Sequence, residues 1–149
     1  MKAAPTLDGR LRIDVETELD VVVLKSVVGD AAGETGSLAE KLAAGMAGEI
    51  ADDWQEFVLP DLREHYDQQV GTVARALADL SPGMAVFVAR EDAGSWYGTF
   101  NQARLALEDR YQLSVKPPGP ATAERRTALI RSNFYQVIQG MLLGFLMKE

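Results

Sequence analysis

Apolar residues recur at intervals of three and four along two long stretches of the 149-residue chain. The first stretch contains Leu62, Tyr66, Val70, Val73, Leu77 and Leu80. The second contains Trp96, Phe100, Ala103, Leu107 and Tyr111. Positions three and four apart share one face of an α-helix, whereas a half-buried strand alternates every second residue. Both stretches therefore predict long helices whose apolar faces must pack against other elements.

The N-terminal 16 residues have a different pattern. Asp8-Gly9 lies between two short segments and favours a two-residue type I′ hairpin turn. Leu11, Ile13 and Val15 then alternate with polar residues, as a half-buried strand does. The chain is thus predicted to be mainly α: one domain over 1–149, with a small N-terminal β-ribbon (1–16) and a bundle of four to six helices (17–149). The segment MAVFV (84–88) is a further short strand or extended segment that can pair with the ribbon.

Local signals place the remaining helices. Thr17 and Asp20 have capping-box spacing and predict a first helix with Leu19, Val22, Val23, Ser26 and Val27 on one face. Val21–Leu24 is rich in β-branched residues, so a strand is the alternative there. Ser37 and Glu40 form a second capping box that opens a short helix, LAEKLAAGM. Pro60 predicts a kink or a new helix start, and the last helix is expected over 122–147, nearly apolar all round from Val137.

Composition excludes several classes of function. The net charge of −7 and a pI of about 4.7 disfavour nucleic-acid binding, which depends on neutralising phosphates. The chain has no cysteine and a single histidine, His65, which excludes disulfides, thiolate metal sites and most zinc constellations within one chain. The N-terminus lacks a signal-peptide pattern, and the longest apolar run is too short to span a bilayer. We expect a cytoplasmic protein with no membrane partner, no cofactor and no metal.

Polar residues on the Trp96 helix form the main candidate site. Asn101 and Arg104 are three residues apart, and Glu108 lies four beyond Arg104, so the three share one side of the helix. Next to Trp96, this group is suited to receive a carboxylate, a chain terminus or a backbone carbonyl, because arginine is a bidentate donor. The alternative is an internally satisfied polar network that only fixes the packing.

Other features favour structural explanations. The acidic residues of 49–67 indicate a solvated helix face rather than a metal site: Glu49, Asp52, Asp53, Glu56, Asp61, Glu64 and Asp67. His65 is expected on the surface or in packing, since no Ser or Cys is placed to complete a triad. Gly140 and Gly144 predict either a tight crossing within the bundle or the contact of a homodimer formed by the C-terminal helix.

The segment SWYGTFNQARLALEDRYQL resembles the signature helix of a bacterial family of domains of unknown function. That signature has a Trp followed by Leu-Asn-x-x-Arg-Leu-Ala-Leu; Phe100 replaces its first leucine. Residues that match it are Trp96, Asn101, Arg104, Leu105, Ala106 and Leu107. EFVLPDLREHYDQQVGTVARAL and NFYQVIQGMLLGFL resemble the preceding helix and the closing helix. Genes of this family often neighbour the adaptor of the Clp protease, which implies a link to regulated proteolysis.

Together these observations predict a cytoplasmic interaction or regulatory module without enzymatic activity. Its contact surface is expected at Trp96, Asn101, Arg104 and Glu108 or on the apolar C-terminal helix, and its partner is expected in the Clp machinery. The alternative is a small-molecule binder or enzyme that uses Asn101, Arg104 and Glu108 within a concave site.

Overall fold

Five α-helices and three short strands make up the part of the chain described by the computed structural model, residues 1–33 and 48–148 apart from the side chains of Glu49 and Ala51. The strands are β1 (Lys2–Pro5), β2 (Leu11–Asp14) and β3 (Ala85–Val88). The helices are α1 (Glu18–Ala32), α2 (Gly48–Asp53), α3 (Leu59–Leu77), α4 (Ala93–Tyr111) and α5 (Ala123–Met147). The predicted mainly α fold with a small sheet is confirmed. The capping box and short helix predicted at 37–46 lie outside the described residues.

The N-terminal ribbon is part of a three-stranded antiparallel sheet in the order β1-β2-β3. The segment around 84–88 therefore pairs with the ribbon, and β2 is the central strand. The hairpin prediction is correct, but the type I′ turn is wrong: Thr6 and Arg10 close a three-residue loop in which only Gly9 has a positive φ, of 86°. Asp8 keeps a negative φ, because in a three-residue loop only the third residue, Gly9, has to adopt the left-handed conformation.

Helix α1 resolves the helix-or-strand alternative at Val21–Leu24 in favour of the helix. Its first turn is held by the predicted capping box, in which the Asp20 N–H donates to Thr17 Oγ1 (3.1 Å) and the Thr17 N–H donates to Asp20 Oδ2 (3.2 Å). The predicted buried face is wrong in part, because Val27 is buried as predicted but Val23 and Ser26 are only half-buried. The buried residues are Val21, Leu24, Val27 and Ala31, whereas Leu19 and Val22 are exposed. A valine-rich helix is apolar on several sides, so the neighbouring α4 decides which side is buried.

The helical path from α2 to α3 continues through a π-helical turn at Trp54–Val58. There the Leu59 N–H donates to the Trp54 carbonyl, five residues back. Pro60 is the second residue of α3, as its predicted place at a helix start requires. Pro60 has no N–H to donate, so one helical hydrogen bond is missing there. The wider π turn before it lets the helical path continue without a break.

Helix α4 lies at the centre of the domain and contacts α1, α3 and α5. The apolar face predicted for this helix is buried: Trp96 is 1% exposed, and Phe100, Ala103 and Leu107 belong to the same core. The apolar face of α3 contributes Val73 and Leu77 to this core, and α5 contributes Tyr135, Ile138 and Leu142. The sheet adds the inward-facing residues of β2 and β3.

The side chain of Arg125 makes several hydrogen bonds to the proline-containing connector between α4 and α5. Arg125, in the first turn of α5, donates to the carbonyl oxygens of Tyr111 (3.2 Å), Gln112 (3.1 Å) and Val115 (2.7 Å). A guanidinium at the C-terminus of α4 satisfies carbonyls that have no partner within that helix and complements its dipole. Among the described residues, no helix is both long and apolar enough to cross a membrane.

Two leucines of α1 test which face of that helix packs. Leu24 is fully buried and Leu19 is 69% exposed. Leu24→Ala is expected to lower the free energy of unfolding by about 2–5 kcal/mol, because it opens a cavity in the core. Leu19→Ala is the matched control and is expected to change it by less than about 0.5 kcal/mol. Urea titration measures both; equal losses would contradict the observed orientation of α1.

Candidate functional site

The four site residues predicted on α4 separate onto two sides of that helix. Trp96 lies in the core, where its ring stacks on Phe100 with a centroid distance of 6.2 Å. Asn101, Arg104 and Glu108 lie on the other side, and all three line one cavity. Trp96 therefore supports the helix that presents the site, and the three polar residues are the ones that a ligand can reach.

The cavity has a volume of about 340 Å³ and lies between α4 and α5. Leu105 and Ser132 complete its lining, and Ser132 is the residue supplied by α5. Concave sites of this size hold small groups, and a few converging polar atoms give them their specificity. The concave site that the small-molecule alternative requires is thus present at Arg104.

Arg104 is only partly satisfied by the protein. Its Nη1 donates to Gln139 Oε1 at 2.6 Å, and Gln139 is itself buried on α5. The Arg104 Nε atom is buried without a hydrogen-bond acceptor, and no carboxylate of the described chain lies within ion-pair distance of the guanidinium. A buried donor without a partner costs about 1–3 kcal/mol, so this guanidinium has unused capacity for an acceptor.

Glu108 serves a different partner from the one its spacing suggests. Its carboxylate accepts the Ser114 N–H (3.2 and 3.0 Å to the two oxygens) and a short hydrogen bond from Ser114 Oγ. These contacts hold the turn after α4, where Gln112 adopts a positive φ of 51°. Because Glu108 is used there, it does not neutralise Arg104, although a spacing of four residues permits such a pair.

A second polar cluster joins α1 to α5 and was not found by sequence reasoning. Arg131 donates from Nε (2.8 Å) and Nη2 (3.2 Å) to the two oxygens of Asp30, and the buried Tyr135 hydroxyl donates to Asp30 Oδ2 at 2.6 Å. The Ser26 hydroxyl lies 2.6 Å from the phenol oxygen. Asp30 precedes Tyr135 by 105 residues, so no local spacing indicates this contact.

The environment of this cluster shifts two pKa values. Burial and the hydrogen bond to Asp30 raise the pKa of Tyr135 far above its ordinary value, and the Ser26 hydrogen bond only partly offsets this. For Arg131, burial alone would lower the pKa, but the hydrogen bond and charge of Asp30 outweigh burial and raise it. The phenol therefore remains neutral in the folded protein, and the guanidinium remains charged.

Three other sequence features have no site geometry in the described residues. The acidic side chains of 52–67 are all exposed, as predicted for a solvated face, and the side chain of Glu49 lies outside the description. His65 is exposed, with its Nε2 3.3 Å from Gln69 Nε2. The predicted tight crossing at Gly140 and Gly144 is wrong for the described chain, because no atom lies within 4 Å of a Cβ placed on either glycine.

Sequence reasoning also missed Ser132 and Gln139, which reach Arg104 and its cavity from α5. A signal for Gln139 was present, because it is a polar residue within the apolar run that begins near Val137. The partner of a buried polar side chain is usually another polar group. Here the partner is 35 residues away in sequence, so its identity depends on how α4 and α5 are aligned.

A family model for the domain of unknown function DUF2017 matches residues 29–146. The chain belongs to the DUF2017 family. The matched range contains the whole Arg104 cavity and the Asp30–Arg131–Tyr135 cluster, whereas β1 and β2 precede it. No curated protein and no solved structure shows significant similarity to the chain.

The buried phenol of this DUF2017 domain predicts a specific loss of stability in alkali. The folded-state pKa of Tyr135 is raised, so its contribution is fully present below the unfolded-state pKa of about 10 and is lost as the pH rises above it. The loss is expected to reach about 1.4 kcal/mol near pH 11. Urea titrations from pH 8 to pH 11 should show a steeper decline for the natural protein than for Tyr135→Phe. Parallel declines would contradict a neutral buried phenol.

Proposed function

We propose that this domain is a recognition module without enzymatic activity, which binds an acidic group of a protein partner in the Arg104 cavity. The observation that supports this function is a partly buried guanidinium that lines an open cavity and has no carboxylate partner in the described chain. A guanidinium in such a site is a strong receptor for a carboxylate, because charge-assisted hydrogen bonds are about twice as strong as neutral ones.

The remaining cavity groups are suited to holding a ligand. The Asn101 amide and the Ser132 hydroxyl have no hydrogen bond to the described protein, so both are available to a ligand. Glu108 is already engaged by Ser114 and serves to fix the wall of the cavity. The small-molecule alternative uses the same cavity. Recognition of a protein partner is preferred, because Leu105 is 45% exposed and extends the site onto the surface.

The resemblance to a bacterial family whose genes neighbour the Clp adaptor makes the Clp machinery the first partner to test, in the bacterial cytoplasm. The chain has a net charge of −7, so its overall electrostatic field would repel an acidic partner. The attraction would therefore have to come from the Arg104 guanidinium itself.

Affinity capture with matched variants tests this function. Tagged natural protein, Arg104→Gln and Arg75→Gln are used to capture partners from bacterial cytoplasm, and the captured proteins are quantified by mass spectrometry. Arg75 is an exposed residue of α3, so its substitution makes the same change in charge away from the cavity. A Clp component is expected with the natural protein and with Arg75→Gln. Its recovery should fall roughly tenfold or more with Arg104→Gln, because a charge-assisted hydrogen bond is lost.

Folding of each variant is checked first by thermal unfolding. A partner that is captured equally by folded Arg104→Gln would show that recognition takes place elsewhere on the domain. Specific capture of a protein outside the Clp machinery that depends on Arg104 would support the recognition function and reject the Clp link.

The outer face of α5 supports a second candidate, a homodimer. From Ser132 to Met147 this helix carries no charged residue, yet Val137 is 56% exposed and Met147 is 76% exposed. Gly140 and Gly144 lie on the same exposed side, and the space above both is open. Two copies of a chain with net charge −7 would meet with least repulsion at a face without charges, and the glycines would allow close approach of two identical helices.

Glycine substitutions on α5 test the dimer. Gly140→Ala with Gly144→Ala should stabilise the helix by up to about 1 kcal/mol per site, since alanine is the better helix former. The same change should weaken dimerisation by roughly tenfold, because the added methyl groups hold two closely crossing helices apart. Gly29→Ala on α1 is the matched control: it also faces open space and should leave dimerisation unchanged. Sedimentation equilibrium measures the dissociation constant; a monomer at all concentrations would reject the dimer.

A further inference from the structure

We infer that the Arg104 cavity binds the free C-terminal end of a polypeptide, with the α-carboxylate on Arg104 and the adjacent backbone N–H directed to Glu108. This inference rests on the proposed recognition function and specifies which acidic group is recognised. It follows from the donors that Arg104 has left, from the order of the cavity residues along α4 and from the charge of the site.

The guanidinium is oriented by the protein. Its Nη1 is tied to Gln139 Oε1 at 2.6 Å, and the buried Gln139 cannot move away without losing its own packing. The edge formed by Nε and Nη2 has no acceptor among the described residues. The two N–H groups of this edge are parallel, which is the geometry that matches both oxygens of one carboxylate. Because Nε is covered by protein, a carboxylate must displace a neighbouring group to contact both.

The neighbouring residues add an acceptor and an apolar surface. Glu108 follows Arg104 by one helical turn, and among the described residues its carboxylate accepts hydrogen bonds only from Ser114. A carboxylate has about four acceptor positions, so it retains room for one more N–H. Leu105 lines the same cavity and can contact an aliphatic side chain. A C-terminal residue carries a carboxylate, an N–H and a side chain on one Cα, and so presents all three complementary groups.

Charge favours a single carboxylate over a phosphate dianion in this cavity. The cavity contains one guanidinium and one carboxylate, so a phosphate dianion would be attracted by Arg104 and repelled by Glu108. An internal Asp or Glu side chain supplies the anion, but its backbone N–H is separated from the carboxylate by the side-chain methylenes. A free amino acid shares the α-carboxylate and the nitrogen donor, and is therefore the ligand that the experiment must distinguish.

Fluorescence polarisation with the full 149-residue chain provides the test. The probe is a fluorescein-labelled pentapeptide, Ala-Ala-Ala-Ala-Leu, with a free C-terminus. Its two matched peptides are the C-terminal amide and an amide in which the central alanine is replaced by Glu. Unlabelled leucine serves as a competitor. The free-acid peptide is expected to bind, amidation to weaken binding at least tenfold, and the internal Glu not to restore it.

Protein variants locate the binding. Arg104→Gln and Arg104→Lys should both lose the free-acid peptide, because lysine keeps the charge but lacks the two parallel N–H groups. Arg75→Gln should bind as the natural protein does. The comparison of acid and amide on the natural protein remains decisive even where an Arg104 variant fails to fold.

Each contrary result has a defined meaning. Equal binding of the acid and the amide, or equal Arg104-dependent binding of the internal-Glu amide, overturns the C-terminus inference; the second result leaves recognition of acidic groups intact. Displacement by leucine as strong as by the unlabelled peptide identifies a free amino acid as the ligand and overturns the polypeptide assignment. Absence of binding by every probe, with a captured partner that still requires Arg104, also overturns the inference while the proposed function stands.

Discussion

The edge-to-face contact between Phe100 and Tyr135 joins the central helix to the C-terminal helix in the middle of the core. Their ring centroids are 5.5 Å apart with an interplanar angle of 75°, which is a favourable arrangement for two aromatic rings. Phe100 belongs to the central helix α4, and the Tyr135 hydroxyl reaches Asp30 of α1. One contact thus sets α4 and α5 against each other and aligns both with α1. Together with the rest of the shared core, this contact sets the rotation and height of α5 relative to α4.

That alignment also determines the candidate site. Gln139 lies one helical turn beyond Tyr135 on α5, and its Oε1 accepts a hydrogen bond from Arg104 of α4. Ser132 lies about one turn before Tyr135 and closes the cavity on the same side. Packing of the apolar residues brings these polar groups together, but it does not satisfy them all, because the Arg104 Nε atom has no acceptor. A stable core and an incompletely satisfied polar surface are therefore built by the same pair of helices.

The helices and the sheet were largely predictable because their signals are local. The capping box at Thr17, the stripes of α3 and α4 and the alternation in β2 each depend on residues within a few positions of one another. Two of the predictions that failed depended on a neighbouring element. The predicted buried face of α1 shares only Val27 with the observed one, because its valine run is apolar on several sides. The glycines of α5 were expected to contact another helix, but no described atom lies within 4 Å of a Cβ placed on either. The turn at Gly9 failed for a local reason: Asp-Gly also suits a longer loop that needs only one left-handed residue.

By itself, the sequence determined the class of fold, the bounds of most helices and the side of α4 on which Asn101, Arg104 and Glu108 lie, because spacing along one helix decides each of these. It also carried a resemblance to a family of domains of unknown function, and the DUF2017 family model matches residues 29–146. Only the tertiary structure decided that Glu108 is used by Ser114, that Gln139 holds Arg104 and that Asp30 joins Arg131 and Tyr135. The physical reason is that hydrogen bonds between helices depend on their relative rotation and height, which arise from packing over the whole core and leave no mark in local residue spacing.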